Sequence, residues 1–140
     1  MTPIELRYES GDRFAMRIRA HNLLVDQPVE DGGDDMGPSP VELFVASIAS
    51  CAGFYAERFL KRRGMDPFGL RVSCDYLMAD ERPARVAWVG VSVCVPEPLT
   101  DQEHQVLERV LEHCTVKNSL ESPPLLALEV RCDERMPLPA

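Results

Sequence analysis

The sequence has little positive charge for its size. Its 15 Lys+Arg stand against 23 Asp+Glu, giving a net charge of -8 over 140 residues. Nothing in that balance attracts a phosphate backbone, so nucleic-acid binding is not expected. Long apolar runs are also scarce: the central uncharged stretch extends only from Leu43 to Ala56, short of the ~20 residues of a spanning helix. No basic-then-apolar leader opens the chain. The expectation is a cytoplasmic protein with no membrane partner. The five cysteines, at 51, 74, 94, 114 and 132, are odd in number and include no Cys-x-x-Cys pair. That spacing excludes a dense secreted-type disulfide framework and argues against a metal site.

What is present is enough apolar content, 45%, for one domain spanning residues 1–140. Residues 4–20 alternate: Ile4, Leu6, Tyr8, Phe14, Met16 and Ile18 are apolar, charged residues fill most positions between, and Ser10-Gly11-Asp12 supplies the turn. This predicts an antiparallel hairpin, with a further short strand over 21–26. Residues 27–39 hold three glycines, two prolines and four acids and read as a long, flexible loop. The glycines lack the Lys-Ser/Thr of a phosphate loop.

Ser39-Pro40-Val41-Glu42 is a helix start, with Ser39 as N-cap, Pro40 at the first helical position and Glu42 closing a capping box. The helix should run to about Arg63, where Gly64 stops it. Phe44, Ile48, Cys51, Tyr55 and Phe59 form one stripe, while small residues on other faces suit burial on more than one side and close approach of a second copy. Two strands follow, one presenting Phe68, Leu70, Val72, Cys74, Tyr76 and Met78, the other Val89, Val91, Val93 and Val95. Thr100 and Glu103 form another capping box, opening a helix whose apolar face ends at Cys114. Residues 115–121 can add a further helical turn or two, and Leu126, Leu128, Val130 and Cys132 alternate as a last strand. The order is that of an α+β domain with mostly antiparallel sheet and a long buried central helix.

Cys51 and Cys114 both lie on apolar helix faces. Each can be an inert core cysteine, or the two can meet and exchange electrons, which requires Cα atoms roughly 4.4–6.8 Å apart. Cys51 lies about three turns into its helix, too far for the dipole to hold a thiolate, and needs a cation. Cys114, at a helix end, is the poorer thiolate unless a new helix starts after it with its N–H groups turned toward the sulfur. Cys74 and Cys132 read as core, Cys94 as partly exposed, and His113 as a surface residue.

The segments Asp26-Gln27-Pro28, Gly32-Gly33, Gly37-Pro38-Ser39-Pro40-Val41-Glu42-Leu43, the run from Ala46 to Cys51, and His113-Cys114-Thr115-Val116-Lys117-Asn118-Ser119-Leu120 resemble the OsmC/Ohr family of thiol-dependent hydroperoxide reductases. The resemblance leans toward the broad OsmC-like branch. It implies an intertwined homodimer and no metal or other cofactor. It further implies a peroxidatic Cys51, a resolving Cys114, organic hydroperoxides as substrates and an external dithiol as reductant. An Arg of the first hairpin, paired with a Glu near the start of the central helix, activates the thiol in that family. Arg13 is the first candidate here, Arg17 and Arg19 the alternatives, and Glu42 the candidate carboxylate. In the Ohr branch the Glu stands one residue earlier, where this chain has Val41. Nine residues along a helix turn Glu42 ~180° away from Cys51 of the same chain. Phe44, Ile48 and Tyr55 are the candidate substrate-binding residues. The alternative to an enzyme is a non-catalytic, dimeric binding or structural module of the same fold. A Cys-His hydrolase built on Cys114 and His113 ranks below both, because neighbours on a helix diverge by ~100°.

Overall fold

In the computed structural model, which describes residues 3–132, the first three strands form an antiparallel meander. They are β1 (Ile4–Ser10), β2 (Arg13–Ile18) and β3 (His21–Val25). Tyr8 pairs with Phe14 and their rings meet edge to face at 5.7 Å. The β1–β2 turn places Gly11 at φ 53°, and the β2–β3 turn places Arg19 at φ 55°, with Arg17 Nε donating to the Arg19 carbonyl at 3.1 Å. The side chains of Ile4, Leu6 and Tyr8 remain largely exposed.

The segment after β3 departs from the expected flexible loop. Its centre is Asp26, only 1% exposed, whose carboxylate accepts the N–H groups of Gln27 (2.8 Å), Met36 (3.1 Å) and Asp34 (3.3 Å). The Asp26 N–H in turn donates to the Pro38 carbonyl at 3.2 Å. The loop wraps tightly enough that a Cβ at Gly37 would stand 2.2 Å from the Leu24 carbonyl oxygen, and one at Gly33 2.0 Å from that of Gln27. These two glycines allow close backbone approach rather than motion. The N–H of Met36, first among three such donors, holds the Asp26 carboxyl below its ordinary pKa against the opposing effect of burial, and the charge of Arg13 adds to it.

The loop delivers the chain to α1 (Pro40–Arg62). The capping box is present in full: Glu42 N–H donates to Ser39 Oγ at 3.2 Å and Ser39 N–H to Glu42 Oε2 at 2.7 Å. By length and composition α1 could span a bilayer, yet it packs against a second sheet and two helices as the core helix of the fold. That sheet pairs β4 (Arg71–Met78) with β5 (Val86–Cys94), so that Val72, Cys74 and Tyr76 oppose Val93, Val91 and Val89. The helix α2 (Asp101–Leu111) opens with its own capping box, with Thr100 N–H on Glu103 Oε2 at 2.9 Å, and α3 (Thr115–Glu121) follows. The core joins Ala56, Phe59 and Leu60 of α1 to Leu107 of α2, with Met65, Leu70, Val93 and Val95 around them.

Three expectations are corrected. The buried line of α1 runs through Val45, Ile48, Ala52, Ala56, Phe59 and Leu60, leaving Cys51 and Tyr55 half-buried and Phe44 exposed. Alanine lets β4, β5 and α2 approach closely, so the helix centres its contact there rather than on the aromatic stripe. Phe68 lies before β4 and is exposed. Among the described residues, 123–132 pair with no strand: Leu128 is 99% and Val130 101% exposed, and Cys132 is exposed rather than core. The alternation there has the pattern of a strand with an open edge and no sheet partner among the described residues.

Candidate functional site

Two helices and one short turn bring the thiols together. α2 ends at Leu111, and a tight turn follows in which His113 N–H donates to the Val110 carbonyl and Cys114 N–H to that of Leu111, each at 3.1 Å. Cys114 then becomes the N-cap of α3 and is 2% exposed, with Asn118 N–H on its carbonyl at 2.9 Å. The helical turns expected over 115–121 thus form a separate helix, with its free N–H groups at the thiol end. On α1, Tyr55 sits one turn beyond Cys51, and its hydroxyl lies 3.2 Å from Thr115 Oγ1, docking the start of α3 onto the central helix. Lys117 secures the other side through ion pairs at 2.6 Å to both Glu112 and Glu121.

In this arrangement Cys51 and Cys114 are near enough to influence each other's titration, and they shift in opposite directions. Burial pushes the Cys51 thiol up, but the hydrogen bond from Cys114 and the N–H groups of Val116 and Thr115 outweigh it, so its pKa falls below the ordinary thiol value. Burial raises Cys114, and its hydrogen bond to Cys51 raises it further, over the opposing N–H groups of Lys117 and Val116. The pair therefore consists of one sulfur disposed to be an anion and one disposed to stay protonated.

No cationic side chain of the same chain is among the causes of this asymmetry. Arg13 lies in the first hairpin, where Nη2 donates to Ser10 Oγ at 2.8 Å and Nε stands 3.3 Å from Glu9 Oε2. Glu42 is engaged in the α1 cap. Neither side chain is joined to the thiols within one chain. Within one chain, the N–H groups of Val116 and Thr115 act on Cys51 from the start of α3; no side-chain pattern marks a backbone donor. The sign of it lay in the possible helix after Cys114.

Phe44, Ile48 and Tyr55 line no common pocket. Ile48 borders a cavity of about 330 Å³ that Cys114 also borders. Tyr55 lines a groove of about 480 Å³ with Phe59, Val106 and Arg58. Phe44 is on the exposed side of α1. His113 is exposed, as expected, and Cys74, on β4, is half-buried, with its pKa raised by burial and by Asp75. Among the described residues, no cluster of three or more His, Cys, Asp or Glu is arranged to hold a metal ion.

The family model of OsmC-like proteins matches residues 32–129, a span that contains the second part of the loop, both capped helices and both thiols. The chain belongs to the OsmC-like protein family. Solved structures share the fold. One is a Psychrobacter arcticus 273-4 protein provisionally named as an osmotic stress induced and detoxification response protein, at 23% identity and TM-score 0.78, covering 85% of this chain and 88% of that one. Another is the organic hydroperoxide resistance protein OsmC of Legionella pneumophila, at 14% identity and TM-score 0.67, covering 86% and 88%. A third is the organic hydroperoxide resistance protein OhrB of Bacillus subtilis, at 16% identity and TM-score 0.62, covering 88% and 92%. No curated protein matches the chain.

Proposed function

We propose that the protein is a cytoplasmic thiol-dependent peroxidase, a single OsmC-like domain acting as a homodimer that reduces organic hydroperoxides. The observation that carries this reading is the docking of α3 on α1 through Tyr55 and Thr115, which sets Cys114 on the side of Cys51, where the two thiols shift in opposite directions. The Cys51 thiolate attacks the outer peroxide oxygen; the S–O bond forms, the O–O bond breaks, and the alkoxide leaves and takes a proton to become the alcohol. Cys51 is then a sulfenic acid. The Cys114 thiol displaces its hydroxyl as water, forming the disulfide, and an external dithiol returns both sulfurs to the reduced state while closing its own disulfide. Names of the Legionella and Bacillus relatives agree in substrate class.

The uncovered apolar side chains of β1 and of residues 125–130 support the dimer, since such surface is rarely left to water in a stable protein. In that dimer Arg13 and Glu42 act on the thiol of the second copy. A non-catalytic module of the same fold is favoured by one observation, the engagement of Glu42 in its cap and of Arg13 in its hairpin. Dithiol-dependent consumption of an alkyl hydroperoxide separates the two. The peroxidase loses it in Cys51→Ser, and Cys114→Ser accumulates a sulfenic acid that a dione reagent traps. Consumption equal to that of free thiol in all three proteins would leave the module.

A further inference from the structure

The two sulfurs of the disulfide in that cycle are not equally placed toward the interior space of the chain. The cavity of about 330 Å³ lies between α1, β5, α2 and the start of α3, and Cys114 is part of its wall whereas Cys51 is not. Ile48, Ala52, Val93, Leu107 and Leu111 give it an apolar lining. The polar groups that border it are His104, Glu108, Glu112 and Lys117. Lys117, the cation among them, already holds Glu112 and Glu121 at 2.6 Å, and His104 Nδ1 stands 3.6 Å from Glu108 Oε1. A visitor carrying negative charge finds no unpaired cation there, while an uncharged aliphatic thiol finds apolar walls leading to sulfur.

Resting on the peroxidase reading, we propose that the reducing thiol enters this cavity and attacks Cys114 Sγ, so that Cys51 is the leaving group when the disulfide opens. The attacking thiolate forms a new S–S bond to Cys114, the Cys51–Cys114 bond breaks, and its electron pair leaves on Cys51 as thiolate. The second thiol of the dithiol then attacks the sulfur of the first, closes the external disulfide and releases Cys114, which takes a proton. Exchange is faster when the departing sulfur is the better stabilised anion. Cys51 has the N–H groups of Thr115 and Val116 for that purpose, whereas attack on Cys51 would expel an anion at buried Cys114. The peroxide and the reductant thereby meet different sulfurs, and the reduced enzyme is regenerated with its nucleophile already ionised.

The test uses the full chain oxidised with diamide, which makes the disulfide whether or not the protein is a peroxidase. Brief exposure to mercaptoethanol, acid quenching, alkylation and peptide mapping then locate the mixed disulfide. The route predicts the adduct on Cys114 with Cys51 alkylated; an adduct on Cys51 overturns it. Mercaptoethanol should also open the disulfide several-fold faster than the anionic mercaptoethanesulfonate, after correction for their rates with a small-molecule disulfide, and Leu111→Trp, which fills the cavity, should slow both. Equal corrected rates and no effect of Leu111→Trp would overturn entry through the cavity. If diamide fails to join Cys51 to Cys114, the route and the cycle fall together. If diamide joins them and a hydroperoxide does not, only the cycle falls.

Discussion

The Tyr55 hydroxyl lies 3.2 Å from Thr115 Oγ1, and that single contact ties the helix bearing Cys51 to the helix whose N–H groups face it. Tyr55→Phe keeps the ring and removes the tie. A hydrogen bond of this kind contributes about 0.5–1.5 kcal/mol. Loosening α3 should raise the Cys51 pKa and slow its alkylation at pH 7 by roughly two- to tenfold. The pH dependence of iodoacetamide labelling, resolved by peptide, checks this. An unchanged Cys51 profile in Tyr55→Phe would show that the tie does not position α3.

Leu60 is 1% exposed in the cluster with Ala56, Phe59 and Leu107 that fixes α1 against α2. Leu60→Ala should destabilise the fold by about 2–5 kcal/mol. Urea denaturation followed by far-UV circular dichroism measures it. The same change at the exposed Leu77 should cost far less.

Asp26 sets a pH limit. Its folded pKa is depressed below the ordinary aspartate value, with the Met36 N–H as the largest cause. A depressed acid contributes stability above its unfolded pKa and loses that contribution as pH falls through the folded value. The wild type should therefore lose stability below about pH 4, in the window under the unfolded Asp pKa. Asp26→Asn should be less stable at pH 7 and should lack that part of the acid-dependent decline. Melting temperatures of both proteins between pH 2.5 and 7 compare the slopes.

The alternating apolar residues 126, 128 and 130 are uncovered in one chain. A homodimer that covers them should weaken when Leu128 and Val130 are both replaced by Glu. Light scattering after size exclusion should then show a shift from the mass of two chains toward 15.7 kDa. A dimer unchanged by both substitutions would place the interface elsewhere.

Much of this fold is legible in the sequence where local chemistry decides the structure. Both capping boxes, Ser39 with Glu42 and Thr100 with Glu103, stand where the residue spacing puts them. The alternation of residues 4–18 gives β1 and β2, and that of 72–76 with 89–93 gives the facing strands of the second sheet. Long-range geometry is less visible. Asp26 is one acid among several near a glycine-rich loop, and only the folded chain shows three N–H groups converging on it. Ala52 and Ala56 carry too little hydrophobic signal to outrank Phe44, although they form the line that packs. Residues 126–132 have the pattern of a strand but no partner among the described residues. Cys114 is legible as inward-facing, while its approach to the half-buried Cys51 depends on a turn at 112–114 and on α3, which no periodicity specifies.

The most direct test of the chemistry is peptide mapping after one equivalent of an alkyl hydroperoxide has been added to the reduced protein. Cys51 and Cys114 should be recovered as a single disulfide-linked peptide pair, with Cys74, Cys94 and Cys132 alkylated as free thiols. Recovery of Cys51 and Cys114 unlinked and alkylated, with the hydroperoxide intact, would contradict a thiol peroxidase built on this pair.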